Sequence, residues 1–174
     1  MASRDRPRPD PARRVVLGAA AAVAGALALA GCGFQLRRRT GLPFRRLALT
    51  GFGADSALAA QFRRELADTV ELVDAPATAD VVLQALTDLQ QRSVVASTSA
   101  GQVREIQLRV QFSARADTPS GTPLLAPFTL RLTRELSYSE SAALAKAQEE
   151  AGLFREMQAD VVAQVLRRLA TVRP

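Results

Sequence analysis

Between Glu105 and Arg115 the chain alternates without a break. Ile106, Leu108, Val110, Phe112 and Ala114 fall on one parity; Glu105, Gln107, Arg109, Gln111, Ser113 and Arg115 fall on the other. Successive side chains of a strand point to opposite faces, so this run is a strand with one apolar and one polar face. A helix of the same residues would scatter the apolar side chains around its whole circumference. A strand buried in a parallel sheet would be apolar on both faces. The chain must therefore build a sheet that is covered on one side and open on the other.

Two stretches at helical spacing can supply the cover. Phe154, Met157, Val161 and Val165 make one stripe, widened by Leu166 and Leu169, in a helix expected from about Ala142 to Ala170 with Ser139 or Ser141 as its cap. Gly152 lies inside it and costs up to ~1 kcal/mol against alanine, which predicts a packing contact or a slight kink there. Leu58, Phe62 and Leu66 make a second stripe, in a helix capped by Asp55 and running to about Asp68.

The other segments read as extended. Arg46–Thr50 is a short strand, followed by a turn at Gly51-Phe52-Gly53. Val70–Val73 is a short extended piece before a loop around Pro76. From Asp80 a long strand runs past Asp88 to Val94-Val95, losing phase near Gln90-Gln91, where a bulge is expected. Ser97–Gly101 forms a hairpin loop. Asp117–Pro127, with three prolines and a glycine, reads as a long turn. Phe128, Leu130 and Leu132 then alternate with Thr129, Arg131 and Thr133 in a strand ending near Tyr138. These elements predict a two-layer α/β (α+β) sandwich, a four-stranded mixed sheet with two helices packed on one face.

Ahead of this domain stands a different kind of segment. Val15–Ala30 carries no charge, and Arg4, Arg6, Arg8, Arg13 and Arg14 precede it. At 16 residues it falls short of the ~20 needed to span a bilayer. It reads instead as a secretory leader. Ala30-Gly31 directly before Cys32 resembles the bacterial lipobox. In such signals the cysteine sulfur takes a diacylglyceryl group, the leader is cut just before it, and the new N-terminus is acylated. Cys32 is the single cysteine, so it has no disulfide partner in an oxidising compartment. The expected division is residues 1–31 as removed signal peptide, 32–43 as lipidated tether and 44–174 as one domain. Arg13-Arg14 keeps a twin-arginine export route open beside the general secretory one. Arg37, Arg38 and Arg39 lie either against anionic headgroups, at roughly 1 kcal/mol per basic side chain, or in a solvated linker.

Cleavage removes five arginines and two aspartates and leaves 18 basic and 15 acidic residues. The pI of 11.0 thus belongs in part to the leader, and no nucleic-acid partner is expected. There is no histidine, and the only thiol is assigned to the anchor. Cys–His nucleophiles, Ser-His-Asp triads and the usual zinc sites are excluded, so no catalytic residue, metal or cofactor is expected beyond the acyl groups on Cys32. Asp88, Glu105 and Glu135 have no spacing that selects a catalytic pair. Arginine makes up the basic complement except for Lys146. Arg109, Arg115 and Arg131 fall on the polar sheet face, where they are either phosphate or barrel contacts or a solvated surface.

Gly31-Cys32-Gly33-Phe34-Gln35-Leu36-Arg37 resembles the Gly-Cys-Gly-aromatic-x-Leu-Arg opening of the LPS-assembly lipoprotein family, LptE. Ala142-Ala143-Leu144-Ala145-Lys146, an acidic stretch, and the helix from Phe154-Arg155-Glu156-Met157 to Leu169 are similar to the family's C-terminal part. The resemblance implies a palmitate-bearing lipoprotein anchored in the inner leaflet of the outer membrane. There it would sit inside the LptD β-barrel as plug, assembly aid and lipopolysaccharide-binding element. Gly33, rather than aspartate, after the anchor resembles outer-membrane sorting. In the family, basic residues near the second hairpin loop and at the start of the last helix are implicated in lipopolysaccharide contact. Lys146 matches the second position. Ser97–Gly101 carries no basic residue, and Arg92 and Arg104 flank it as substitutes. The alternative reading is a periplasm-facing lipoprotein serving another envelope lipid-transport or assembly machine.

Overall fold

The computed structural model describes residues 41–174. Cys32, the leader and the tether as far as Thr40 lie outside the described residues. The alternating run is the middle of β4 (Val103–Asp117), flanked by β3 (Val81–Ser97) and β5 (Pro123–Ser137), both antiparallel to it. Every even-numbered β4 side chain from Ile106 to Ala116 is buried, whereas Arg109 and Arg115 on the other face are exposed. On the far side of β3, β1 (Arg46–Thr50) runs parallel to it from Leu47↔Val81 to Thr50↔Gln84. The extended piece near Val73 contributes β2 (Glu71–Leu72), which pairs with β1 through Arg46↔Glu71 and Leu47↔Leu72. The sheet therefore has five strands, in the order β2-β1-β3-β4-β5, and not the four read from the sequence.

Helices α1 (Ala57–Leu66) and α2 (Ala143–Leu169) cover the apolar face. Leu58, Phe62 and Leu66 from α1 and Met157, Val161, Val165 and Leu169 from α2 are fully buried, the stripes expected from their spacing. Phe62 packs edge-on to Phe52 at 5.8 Å between centroids, and Phe52 stacks on Phe112 at 5.9 Å. Ten residues of helix give α1 a length of about 15 Å, while the 17 residues of β3 extend about 55 Å. Along the strand that helix can span only about a third of β3.

The local stop signals differ from expectation. Ser56, not Asp55, caps α1: its Oγ accepts from the Ala59 N–H at 2.9 Å and donates to the Asp88 carboxylate, pinning the helix start to β3. Ser139 and Ser141 bond to one another at 2.8 Å, a 3-10 turn intervenes, and neither caps α2. A Cβ on Gly152 would meet only the Arg155 guanidinium at 3.8 Å, so close packing does not demand glycine there. The phase of β3 breaks at Leu86 and Val95, not at Gln90-Gln91. The turn after β4 spans only residues 118–122, and Pro123 and Pro127 lie within β5. They are tolerated because β5 is the last strand in the order, with no ladder on its outer side to complete.

Two contacts fix where β1 meets β3. Asp80 Oδ2 accepts from the backbone N–H groups of Arg45 (3.0 Å) and Arg46 (2.9 Å), and Oδ1 pairs with the Arg46 guanidinium at 2.8 Å. These bonds, the Arg46 side chain foremost, hold the Asp80 carboxyl below its ordinary value of 3.8. At the other end of β1, Gly51 has φ +76°, and a Cβ there would sit 2.2 Å from the Ala85 carbonyl oxygen. Only glycine lets the chain turn so close to β3.

Candidate functional site

The bare face of the sheet collects polar side chains in register. Arg109 stands opposite Gln91 on β3 and Thr133 on β5; Gln111 stands opposite Arg131; Ser113 stands opposite Thr129. Arg109 and Arg131 are thus diagonal neighbours across β4 and β5, within reach of one another's long side chains. Arg115 lies four residues beyond Gln111 on the same face. All three expected face arginines are on the open side, but the register brings only Arg109 and Arg131 together.

Their partners separate them further. Arg115 donates to Gln84 Oε1 at 2.9 Å and forms an ion pair with Asp117 at 3.1 Å. Arg109 donates to Gln107 Oε1 at 2.6 Å and Arg131 to Gln111 Oε1 at 3.4 Å. Among the described residues no carboxylate forms an ion pair with either. The glutamines orient these two guanidinium groups without neutralising them. That leaves two positive forks on a water-facing sheet, the geometry that receives phosphate or carboxylate oxygens in pairs.

The other three candidates gather at a different place. Arg92 stands opposite Leu108, hence on the helix side, and pairs with Glu150 of α2 at 3.1 Å. Lys146 donates to Glu149 at 2.8 Å and to Ser137 Oγ at 3.3 Å. Arg104 bonds to Gln102 at 3.1 Å, and its carbonyl accepts from the Tyr138 N–H next to Ser137. These three lie around the first turns of α2 and the end of the sheet farthest from Asp80. Two of the three already have a carboxylate partner, so they offer an anion less net charge than Arg109 and Arg131 do. Cys32 lies outside the described residues.

Reading the sequence missed an apolar group on the open face. Leu89 stands opposite Gln111, and so shares the face with the arginines. Leu86 and Val95 sit at the two bulges, where the register gives them no partner on β4. The signal was present in the run from Leu86 to Val95, but its parity depends on where the bulges fall. The open face is thus polar on all three long strands, with Leu89 an exposed apolar group among its glutamines and arginines. Among the described residues there is no group of carboxylates that could hold a metal ion, and no helix is long and apolar enough to cross a membrane.

Residues 44–169 match a family model described as LptE, lipopolysaccharide-assembly. The LPS-assembly lipoprotein LptE of Photorhabdus laumondii is 29% identical over 149 residues, covering 84% of this chain and 81% of that protein. Its counterpart from Pectobacterium atrosepticum is 28% identical, covering 84% and 80%. Among solved structures, lipoprotein B from Nitrosomonas europaea, determined in solution, superimposes with a TM-score of 0.66 at 28% identity, over 79% of this chain and 90% of that one. The rare lipoprotein B of Shewanella oneidensis gives 0.60 at 26% identity, over 73% and 95%.

Proposed function

The chain belongs to the LptE family of lipopolysaccharide-assembly proteins, and on that premise we propose that it is an outer-membrane lipoprotein working inside an LptD β-barrel. The family is one of lipopolysaccharide-assembly lipoproteins and is not known as a family of enzymes. In this reading Cys32 carries the acyl groups and holds the protein in the periplasmic leaflet. The domain plugs the barrel and aids its assembly, and the open sheet face meets lipopolysaccharide or the barrel's polar interior.

The observation that carries the reading is the pair Arg109 and Arg131. They are set diagonally on an uncovered sheet face and held by glutamines rather than by carboxylates. Lipid A and core sugars present phosphates, which two fixed guanidinium groups can bind bidentately. Arg115 extends the row, and Arg92, Arg104 and Lys146 add charge at the rim.

The test is lipopolysaccharide capture at low and moderate salt, beside copurification of a large β-barrel. Wild type, Lys146→Ala and the triple change Arg109→Ala, Arg115→Ala, Arg131→Ala are compared. Charge-assisted contacts are worth about 1.5–3 kcal/mol each when well formed and less when exposed. The triple variant is therefore expected to lose binding in a salt-sensitive way. Copurification with no barrel would favour another envelope lipid-transport machine. If both variants match wild type in both assays, the arginines are a solvated face. For the anchor, Cys32→Ser is expected to abolish uptake of labelled palmitate; efficient labelling of that variant would overturn the lipoprotein assignment.

A further inference from the structure

We propose that the outer edge of β3 between its two bulges, from Thr87 to Val94, takes an extended strand of the barrel partner and so continues the sheet where β1 stops. The inference rests on the barrel partnership proposed above and names the surface and the kind of segment it engages.

β1 pairs with β3 only as far as Thr50↔Gln84. At Gly51 the chain turns over Ala85 and leaves the edge toward α1. Beyond that point no strand among the described residues pairs with the outer side of β3, although its inner side is laddered to β4 as far as Ser97. Alternate residues of such an edge present N–H and C=O groups that only water or another backbone can satisfy. Edges of this kind are usually guarded by bulges, prolines or charges. Here the bulges at Leu86 and Val95 bracket the window and do not interrupt it. No proline lies in it. Its two charged residues are already engaged, Asp88 with Ser56 and Arg92 with Glu150. The eight-residue window exceeds a typical strand of about 5–6 residues.

The side chains say what the incoming strand must be. Of the five large apolar residues that stand out as exposed among the described residues, Leu89 and Val94 lie in this window and Leu86 and Val95 at the bulges that bracket it, at 42–49% exposure. Leu89 lies on the open face and Val94 on the helix side, so the incoming strand meets an apolar group on each face. It should carry apolar side chains beside them. A second copy of this chain fits less well. Self-pairing about a two-fold axis aims the two Asp80 ends in opposite directions, whereas tethers anchored in one leaflet favour domains that stand the same way up.

The experiment is amide hydrogen exchange of the lipidated full chain, alone and in complex with its barrel, together with photo-crosslinking from position 91. The expected result is that about half of the amides from Leu89 to Val94 slow by tenfold or more in the complex, and that crosslinks map to one extended barrel segment. The variant Leu89→Lys with Val95→Lys, which alters only exposed side chains, is expected to keep the exchange pattern of the free fold and to lower barrel recovery at least tenfold. A complex that forms with no protection at 89–94 overturns this inference and leaves the barrel partnership standing. Failure of wild type to recover any barrel overturns both. Protection in the free protein that rises with its concentration identifies a second copy as the occupant and overturns the barrel strand.

Discussion

The two halves of β3 belong to one strand and obey different rules. From Val81 to Ala85 it is paired on both sides, lies under α1, and alternates buried and half-buried side chains. From Leu86 to Ser97 it is paired on one side only, α1 touches it only through its cap at Asp88, and no side chain is fully buried. The composition changes far less than the surroundings do: Leu83 is buried completely, whereas Leu89 is largely open to solvent. Whether a leucine in this strand stabilises the fold is decided by helix length and by where β1 stops. The first half is a structural element, and the second is a surface held out by β4.

The largest test of that contrast is truncation on either side of it. Phe62→Ala, which empties the middle of the phenylalanine cluster over the covered half, is expected to cost about 3–5 kcal/mol. Leu89→Ala in the uncovered half should stay within about 0.5 kcal/mol. Urea midpoints of the two variants measure this directly, and equal losses would erase the distinction between the halves. Backbone turns at the two ends should differ next. Gly51→Ala pays the positive-φ penalty of roughly 1–2 kcal/mol and also drives a methyl group into the Ala85 carbonyl. Gly101→Ala in the far hairpin has a similar φ but open space, and should lose only the first of these.

A smaller effect belongs to the clasp where β1 and β3 begin. Because folding lowers the Asp80 pKa, its contribution is complete above about pH 3.8 and fades as the pH falls through the lowered native value. The stability gap between wild type and Asp80→Asn should therefore be widest near neutrality and close on acidification, which thermal melts across that range would record. The smallest effect is expected on the open face. Arg109→Ala and Arg131→Ala should each shift stability by no more than about 0.5 kcal/mol, since each loses one exposed bond to a glutamine.

What the sequence disclosed follows from the range of the forces involved. The alternation of β4 and the stripes of α1 and α2 are local periodicities set by one buried face each, and they were legible. The pairing of Glu71 and Leu72 with β1 was not, because two residues carry no period and their partner lies 25 positions away in Arg46. The prolines of β5 read as a turn because proline is excluded from interior strands, and only the strand order reveals that β5 is an edge. Ser56 won the cap from Asp55 through Asp88, a residue brought near by the fold. At the site, parity placed Arg109, Arg115 and Arg131 correctly on the open face. It could not tell that Arg92 turns to the helix side, which depends on register and on the bulge at Leu86, whereas the pairing of Arg115 with Asp117, two residues on in the same strand, lies within the reach of parity.

Pro123 and Pro127 have a bearing on how the protein aggregates. An open-ended stack of sheets requires every copy to offer two adhesive rims, one to receive and one to give. Here the β5 rim is interrupted by two prolines and lined farther on by Arg131, Arg134 and Glu135, while the β3 rim between Thr87 and Val94 has no proline and keeps Leu89 and Val94 exposed. A molecule with one sticky rim and one dead rim terminates growth after a single addition. Through these two rims the expected product under stress is a capped pair rather than a fibril, which sedimentation of heated protein would record.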